Sequence, residues 1–315
     1  MTENDNILMT FALFVYNQQD YIEEAIESAF SQTYEPLEII ISDDCSTDKT
    51  FSIIEKMVKN YKGCHKVLVR KNARNMGVAM HFDLVMRMSK GELVVVAAGD
   101  DVSESNRVTE SAEVYMNNND VSVIDSGYIN FFDNEPERKI SIKNKEPSKF
   151  SLSDIFSGST LGLSGASRSY ARRKYCSYSP ISSKCPTEDT PALFRCLYFG
   201  EGIYKPEVLV RRRIHPGNLS GLNSLLTMDF DAIEDQYSRD IAEALEHSII
   251  RIENYQDIKL RLERYSYRKR VNLEVNTGFR KKIGYQNIIF SPHLSLREKI
   301  YFLRKGIKFY FTYSS

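Results

Sequence analysis

The chain lacks any hydrophobic run long enough to cross a membrane, and Met1 to Asn6 is polar and acidic, unlike a signal peptide. Its five cysteines form no CxxC pair and are odd in number, which disfavours a disulfide framework. Unpaired cysteines of this kind are typical of a reducing compartment. We therefore expect a cytoplasmic protein.

Glycine-rich phosphate loops are also missing. No GxGxxG follows the first predicted strand, and the chain contains no GxxxxGK[ST]. These absences disfavour a Rossmann dinucleotide site and a P-loop. A nucleotide site in this chain must therefore rely on carboxylates and a metal ion rather than on a glycine loop.

The composition is that of a globular protein, with 42% hydrophobic and 27% charged residues in 315. This length suits one large α/β domain with an appendage, or two domains. The formal net charge is zero, but residues 251–315 carry 15 Lys and Arg against 5 Asp and Glu, a net of +10, so the remainder carries −10. A basic C-terminal segment predicts an anionic partner for that segment.

Strands and helices alternate through the first hundred residues. Asp20 and Glu23 form a capping-box pattern before the first helix. Alternation of this kind predicts a parallel sheet with right-handed crossovers. The predicted strands are Ile7–Val15, Leu37–Ile41, Val67–Arg70 and Leu93–Ala98, with helices at 21–30, Lys49–Asn60 and Val78–Met88.

Two of these strands end in adjacent acids. Asp43 and Asp44 follow the second strand, and Asp100 and Asp101 follow the very apolar fourth strand. Ligands of open parallel sheets bind beyond the carboxyl ends of the strands. Paired carboxylates repel each other unless a cation compensates, and Mg²⁺ or Mn²⁺ suits such oxygen ligands. The alternative for each pair is a solvated turn.

Beyond Val102 the pattern is looser. It predicts a helix at Asn106–Met116, a strand at Val121–Asp125, an exposed loop at Asn134–Ser148 and a loop of small residues at Gly158–Ala166. Glu188 and Asp189 then precede a helix at Pro191–Tyr198, and a short strand at Val208–Arg212 leads into the loop Arg213–Ser220. From Leu222 onward the chain is predicted to be helical.

Several blocks in this order resemble glycosyltransferase family 2. They are Phe14–Asn17, Ile26–Tyr34, Glu38–Thr50, Asn75–Ala79, Gly91–Glu92, Gly99–Asp101, Glu188–Asp189 and Arg213–Ser220. The resemblance covers roughly Leu8 to Gly221. It implies an α/β, Rossmann-like glycosyltransferase-A fold with a mostly parallel sheet flanked by helices and a C-terminal helical appendage. The expected domains are a catalytic domain, 1–221, and a basic helical region, 222–315.

The resemblance implies an inverting transfer from a nucleotide-diphospho-sugar, with Mg²⁺ or Mn²⁺ as cofactor. Asp101 would be the main metal ligand, with Asp100 sharing the metal or holding the ribose. Asp189 would be the general base and Glu188 would help to place the acceptor. The nucleotide-sugar residues would be Tyr16, Asp43, Asp44, Asp100, Arg213 and His215. Many members read D-x-D-D at the metal motif, and here Ala98 stands in place of the first acid.

The implied acceptor is a saccharide or a lipid-linked oligosaccharide of a bacterial surface polysaccharide. The basic C-terminal region would contact an anionic membrane surface, which places the protein on the inner face of the plasma membrane. No nucleic-acid-binding motif is present.

Two alternatives to a glycosyltransferase remain. One is a sugar-phosphate nucleotidyltransferase, which should have a glycine-rich loop after the first strand. The other is a non-catalytic nucleotide-sugar-binding module, which the loss of acid at Ala98 would allow.

Overall fold

The computed structural model describes residues 7–132, 135–138, 146–158, 163–218, 227–276 and 285–313. The first hundred residues form four strands and three helices. They are β1 (Met9–Val15), α1 (Ile22–Phe30), β2 (Leu37–Asp43), α2 (Thr50–Asn60), β3 (Lys66–Lys71), α3 (Val78–Met88) and β4 (Leu93–Ala98).

The next hundred residues add shorter elements and two long strands. These are β5 (Val102–Ser103), α4 (Arg107–Met116), β6 (Val123–Phe132), β7 (Glu135–Arg138), β8 (Ser148–Phe150), α5 (Leu152–Ser157), β9 (Ser169–Ala171), α6 (Arg172–Cys176), α7 (Asp189–Leu197) and β10 (Gly202–Arg213). A 3₁₀ turn at Gly165–Ser167 precedes β9.

The strands form one mixed sheet in the order β3-β2-β1-β4-β9-β6-β10-β5. Strands β1 to β4 pair in parallel, and β6 pairs in parallel with β10. β9 lies antiparallel to both of its neighbours, β4 and β6. All six longer strands therefore point the same way, and their carboxyl ends form one edge of the sheet. The predicted α/β architecture with a mostly parallel sheet is confirmed.

The core lies on both faces of the parallel strands. Phe11, Leu13 and Ile26 pack in one buried cluster with residues of α4. On the opposite face, Phe14 stacks on Phe82 of α3 with 5.4 Å between ring centroids. Double-sided cover explains why β1 and β4 are almost continuously apolar.

Some local predictions were wrong. Tyr21, not Asp20, occupies the N-cap of α1, and no side chain caps that helix. The strand predicted to end at Asp125 continues to Phe132, and the short strand predicted at Val208–Arg212 is part of the second half of the twelve-residue β10. The loop predicted at Asn134–Ser148 contains β7 and the first residue of β8, while residues 134 and 139–145 lie outside the described residues. Of the loops at Gly158–Ala166 and Arg213–Ser220, residues 159–162 and 219–220 also lie outside them.

The chain divides into two compact units at Pro216 and Gly217. The second unit contains α8 (Phe230–Glu246), α9 (Ile252–Asn276), α10 (Tyr285–Ile289) and α11 (Leu296–Tyr313). Val271, Val275, Ile288 and Phe302 form its small apolar core. Within the described part of the chain, every helix is too short or too polar to cross a bilayer.

Candidate active site

The carboxyl ends of the parallel strands lie at one level. Val15 pairs with Asp43, and Asp43 in turn pairs with Lys71. On the other side of β1, Phe14 pairs with Ala98. The sheet register therefore places the acidic pairs that follow β2 and β4 on either side of the loop that follows β1.

Asp43 and Asp44 hold the neighbouring loops. Asp43 is fully buried and accepts hydrogen bonds from the backbone N–H and the hydroxyl of Ser46. The carboxylate of Asp44 accepts from Asn72 Nδ2 at 2.6 Å and from the backbone N–H groups of Met76 and Gly77 at 2.9 and 3.0 Å. Three donors on one buried carboxylate fix the loop between β3 and α3 against the end of β2.

Tyr16 is the exposed aromatic side chain of this edge, with 44% of its surface accessible. The next residue, Asn17, adopts a positive φ of 51°. Its side-chain carbonyl accepts from Thr47 N at 2.8 Å, and its own N–H donates to Ser46 Oγ at 2.8 Å. These bonds join the loops that follow β1 and β2. The ring of Tyr16 is thus presented to solvent beside the buried pair Asp43 and Asp44.

A buried network beneath Asp44 was missed in the sequence. Arg70, at the end of β3, donates to Ser42 Oγ at 2.7 Å, and Ser42 Oγ lies 2.7 Å from His81 Nε2. Burial, with the charge of Arg70, lowers the pKa of His81 to about 4. The only sequence signal for Arg70 is a basic residue at the carboxyl end of a parallel strand.

His81 is expected to make the fold sensitive to acid. Its folded-state pKa lies below the unfolded value of about 6.5, so the unfolded chain binds the proton first as the pH falls. The stability that neutral His81 contributes is present above pH 6.5 and is lost as the pH falls through about 4. Between pH 7 and about pH 4.5, the unfolding free energy should fall by roughly 2–3 kcal/mol more in the wild type than in His81→Gln.

Urea unfolding at both pH values measures this difference. His247→Gln, which alters an exposed histidine, is the matched control and should follow the wild type. Equal acid sensitivity in His81→Gln and in the wild type would contradict the assignment of His81 as a neutral buried group.

Asp100 and Asp101 lie directly after β4 and Gly99. A Cβ atom on Gly99 would lie 2.4 Å from Gln18 Oε1, so a side chain there would force the Gln18 side chain to move. Asp101 is 7% exposed, and burial together with the charge of Asp100 raises its pKa to about 7. The site therefore holds two adjacent carboxylates whose repulsion a cation would relieve.

The end of β10 contacts this acidic pair directly. The backbone N–H of Arg213 donates to Asp101 Oδ1 at 2.9 Å, and Arg213 Nε donates to the carbonyl oxygen of Asp100 at 3.1 Å. His215 Nε2 lies 2.9 Å from Asp100 Oδ2. The Arg213 guanidinium is buried, pairs with Glu24 at 3.0 Å and lies over the ring of Tyr21. Arg213 thus connects the pair Asp100 and Asp101 to Glu24 of α1.

These residues fit a divalent cation that a substrate helps to hold. Asp100 and Asp101 offer carboxylate oxygens, the ligands that Mg²⁺ and Mn²⁺ prefer. Across the described ranges, no three His, Cys, Asp or Glu side chains converge as a complete metal cage. Two carboxylates with the remaining positions left to phosphate and water match the usual coordination of Mg²⁺ in phosphate-transfer sites.

Glu188 and Asp189 form a second acidic group, at the start of α7. Asp189 forms an ion pair with Arg168, and 42% of its side chain is exposed. Glu188 lies deeper, where burial and the charge of Asp189 raise its pKa to about 7. A Cβ atom on Gly165 would lie 3.1 Å from the Asp189 carboxylate, so the small residue allows the 3₁₀ turn to lie against Asp189.

Buried arginines that the sequence did not reveal connect the two acidic groups. Arg168 Nε lies 3.1 Å from Asp125 Oδ2, inside β6. Arg107 donates to the carbonyl oxygens of Val96 in β4 and Ala166 in the 3₁₀ turn, at 2.7 and 3.0 Å. Asp101 and Asp125 both act electrostatically on Arg107. The only sequence signal was Asp125 itself, an acid inside an apolar strand.

Comparison with known proteins assigns the family. The sequence profile described as Glycosyl transferase family 2 matches residues 10–176, more than half of the chain. The chain belongs to glycosyl transferase family 2. The family match includes β1 to β4, Asp43, Asp44, Asp100 and Asp101, and ends before Glu188 and Asp189.

Relatives of the chain include UDP-Glc:alpha-D-GlcNAc-diphosphoundecaprenol beta-1,3-glucosyltransferase WfaP of Escherichia coli, 35% identical over 94 residues, 30% of this chain and 36% of WfaP. The aligned segments span only 27–40% of the length of the leading curated relatives.

Solved structures extend the likeness over nearly the whole chain. TarS 1-349 of S. aureus in complex with UDP-GlcNAc gives a TM-score of 0.64 at 16% identity, with 96% of this chain and 89% of that chain covered. Mannosyltransferase PcManGT of Pyrobaculum calidifontis in complex with GDP-Man and Mn²⁺ gives 0.54 at 12% identity, with 95% and 86% covered. These similarities confirm the predicted glycosyltransferase-A fold.

Proposed function

We propose that the chain is a metal-dependent inverting glycosyltransferase that transfers a sugar from a nucleotide-diphospho-sugar to a hydroxyl group. The observation that carries this proposal is the presence of two acidic groups with different surroundings. Asp100 and Asp101 lie at the carboxyl edge of the parallel sheet, and Asp189 lies half-exposed on a separate element.

In this proposal Asp101, with Asp100, holds the cation and through it the donor diphosphate. The cation, when bound, would stabilise the negative charge that develops on the leaving diphosphate. Tyr16 would contact the base or the ribose, and the buried Asp43 and Asp44 would keep the loops around it in place. His215 would release Asp100 and reach the diphosphate. Arg213, whose guanidinium pairs with Glu24, would hold Asp100 and Asp101 in position.

Asp189, assisted by Glu188, would accept the proton of the acceptor hydroxyl. In-line attack from the face opposite the diphosphate inverts the anomeric centre. A positioned carboxylate base typically contributes roughly 10²–10⁴-fold to the rate. The named donors and the named cation of the relatives support this scheme, since UDP-Glc, UDP-GlcNAc and GDP-Man are all nucleotide-diphospho-sugars and one structure contains Mn²⁺.

The proposed acceptor is a saccharide or a lipid-linked oligosaccharide of a bacterial surface polysaccharide. The printed name of WfaP, whose acceptor is a diphosphoundecaprenol-linked GlcNAc, supports this choice. Such an acceptor would place the enzyme in the cytoplasm, at the inner face of the plasma membrane.

Titration calorimetry of UDP, TDP and GDP, with and without Mn²⁺, tests the proposal on the full chain. Binding of one nucleotide that strengthens with Mn²⁺ is the expected result. Nucleotide release from the corresponding sugar donor in the presence of a GlcNAc-diphospholipid acceptor then reports transfer. Binding without turnover would favour the non-catalytic module, and pyrophosphate release from a nucleoside triphosphate and a sugar phosphate would favour the nucleotidyltransferase.

The second unit offers a surface that suits an anionic membrane. The outward face of α11 is formed by Leu296, Arg297, Ile300, Tyr301, Arg304 and Lys305. Leu296 and Tyr301 are 74% and 56% exposed, and a shallow pocket is lined by Arg297, Arg304 and Lys305 together with Ile300 and Tyr301. Apolar side chains within a basic surround are typical of interfacial helices. We therefore include an anionic lipid surface among the proposed partners.

Vesicle flotation tests this surface. The chain should float with vesicles of equal phosphatidylcholine and phosphatidylglycerol and not with phosphatidylcholine alone. Reversing two charges, in Arg297→Glu with Arg304→Glu, should weaken binding by roughly tenfold or more, because each basic residue contributes about 1 kcal/mol at such a surface. The control Arg251→Glu alters an arginine that is 81% exposed on the same unit and should float like the wild type. Unchanged flotation of the double variant would rule this surface out.

A further inference from the structure

Arg168 joins two acids that have opposite surroundings. Its guanidinium Nε lies 3.1 Å from a carboxylate oxygen of Asp125, which is completely buried. Its Nη1 contacts the carboxylate of the half-exposed Asp189. The same Nη1 also donates to the backbone carbonyl oxygen of Asp189 at 3.3 Å. Arg168 itself is buried, with 6% of its side chain exposed. The contact therefore fixes both the side chain and the backbone of the first residue of α7.

Asp125 in turn is held from several sides. It accepts hydrogen bonds from the backbone N–H of Ser164 at 3.1 Å and from the hydroxyl of Ser167. Burial raises the pKa of Asp125 to about 6, so Asp125 is mostly ionised at neutral pH and keeps its charge beside Arg168. A buried guanidinium between two carboxylates, anchored on the more rigid one, has little freedom to move.

We propose that Arg168, anchored on Asp125, is the positioning residue of the general base. It holds Asp189 Oδ1, so that Oδ2 is the oxygen that accepts the acceptor proton. This inference rests on the proposed role of Asp189.

The physical reason is that the planar guanidinium fixes the orientation of the carboxylate with which it pairs. Loss of this fixed geometry should lower kcat, because small displacements of a catalytic group are costly. The affinity for the nucleotide-sugar donor should not change, because in the proposed site Arg168 does not contact the nucleotide.

The test compares Arg168→Gln, Arg168→Lys and the wild type as full chains. Arg168→Gln should lower kcat by about tenfold or more. Arg168→Lys, which keeps the charge without the planar guanidinium, should restore only part of kcat. Nucleotide affinity by calorimetry should stay unchanged in both variants.

Two further variants separate the position of Asp189 from folding. Gly165→Ala would displace Asp189 and leave Arg168 in place, because its Cβ would lie 3.1 Å from the Asp189 carboxylate. It should lower kcat and leave nucleotide affinity unchanged. Arg168→Gln with Asp125→Asn removes both charges of the buried pair and should have the same low kcat as Arg168→Gln.

Unchanged nucleotide affinity beside a lower kcat shows that a variant is folded and that the loss lies on the acceptor side. A wild-type kcat in Arg168→Gln would overturn the inference. Full activity of Asp189→Asn would instead refute the proposed base, whatever Arg168→Gln does, so the two failures are distinguishable.

Discussion

Asp189→Asn is expected to lower kcat by roughly 10²–10⁴-fold, because an amide cannot accept the proton of the acceptor hydroxyl. The amide keeps the size of the side chain and can still accept a hydrogen bond from Arg168, so α7 should begin at the same place. Nucleotide affinity should remain within about twofold of the wild type, as for a group that acts mainly in the transition state. Steady-state kinetics with titration calorimetry measures both quantities.

The neighbouring acid provides the sharpest comparison. Burial and the charge of Asp189 raise the pKa of Glu188 to about 7, so Glu188 is mostly protonated at pH 6 and mostly ionised at pH 8. Glutamine mimics the protonated form. Glu188→Gln should therefore stay within about threefold of the wild-type kcat at pH 6 and lose more at pH 8.

Glu201→Gln is the matched surface control, since Glu201 is half-exposed in a pair with Lys149. Its kcat should equal that of the wild type at every pH. If Glu188→Gln were inactive at pH 6 while Asp189→Asn was fully active, the result would make Glu188 the general base and Asp189 the residue that assists it.

The sequence predicted where the two acidic pairs lie in the sheet, because backbone topology determines their positions. Asp43 ends β2 and Asp100 follows β4, and parallel pairing brings such strand ends to one edge. The contacts from β10 could not be predicted this way, because His215 reaches Asp100 across more than a hundred residues of chain. The buried cations Arg107 and Arg168 were missed because a lone arginine in a sequence is most often a solvated residue.

The position of β9 in the sheet and the N-cap of α1 were also not predictable from the local sequence. β9 has only three residues, and its place between β4 and β6 depends on tertiary pairing that leaves no periodic pattern. The Asp20–Glu23 pattern predicted a cap, but the loop after β1 is instead tied to the start of α2, where Gln18 N donates to Thr50 Oγ1. Long-range hydrogen bonds outweighed the local signal.

Asp101→Asn is expected to abolish most of the metal-dependent nucleotide binding. Loss of a residue outside the metal shell typically costs 10–100-fold in metal affinity, so loss of a direct ligand should cost at least about 100-fold. The asparagine carbonyl can still accept the hydrogen bond from the Arg213 backbone, and the repulsion with Asp100 disappears. The variant should therefore be at least as resistant to thermal unfolding as the wild type.

The measurement is a four-way titration of the nucleotide that the wild type prefers, with Mn²⁺ or with EDTA, on the wild type and on Asp101→Asn. With EDTA the two proteins should bind equally, because the contacts of the base and ribose do not pass through Asp101. Asp120→Asn removes an exposed carboxylate from a loop and should match the wild type in all conditions. Equal Mn²⁺ enhancement in Asp101→Asn and the wild type would exclude Asp101 as a ligand. Because Ala98 has no carboxylate, Asp100 would then be the one acid of this turn left to hold the cation.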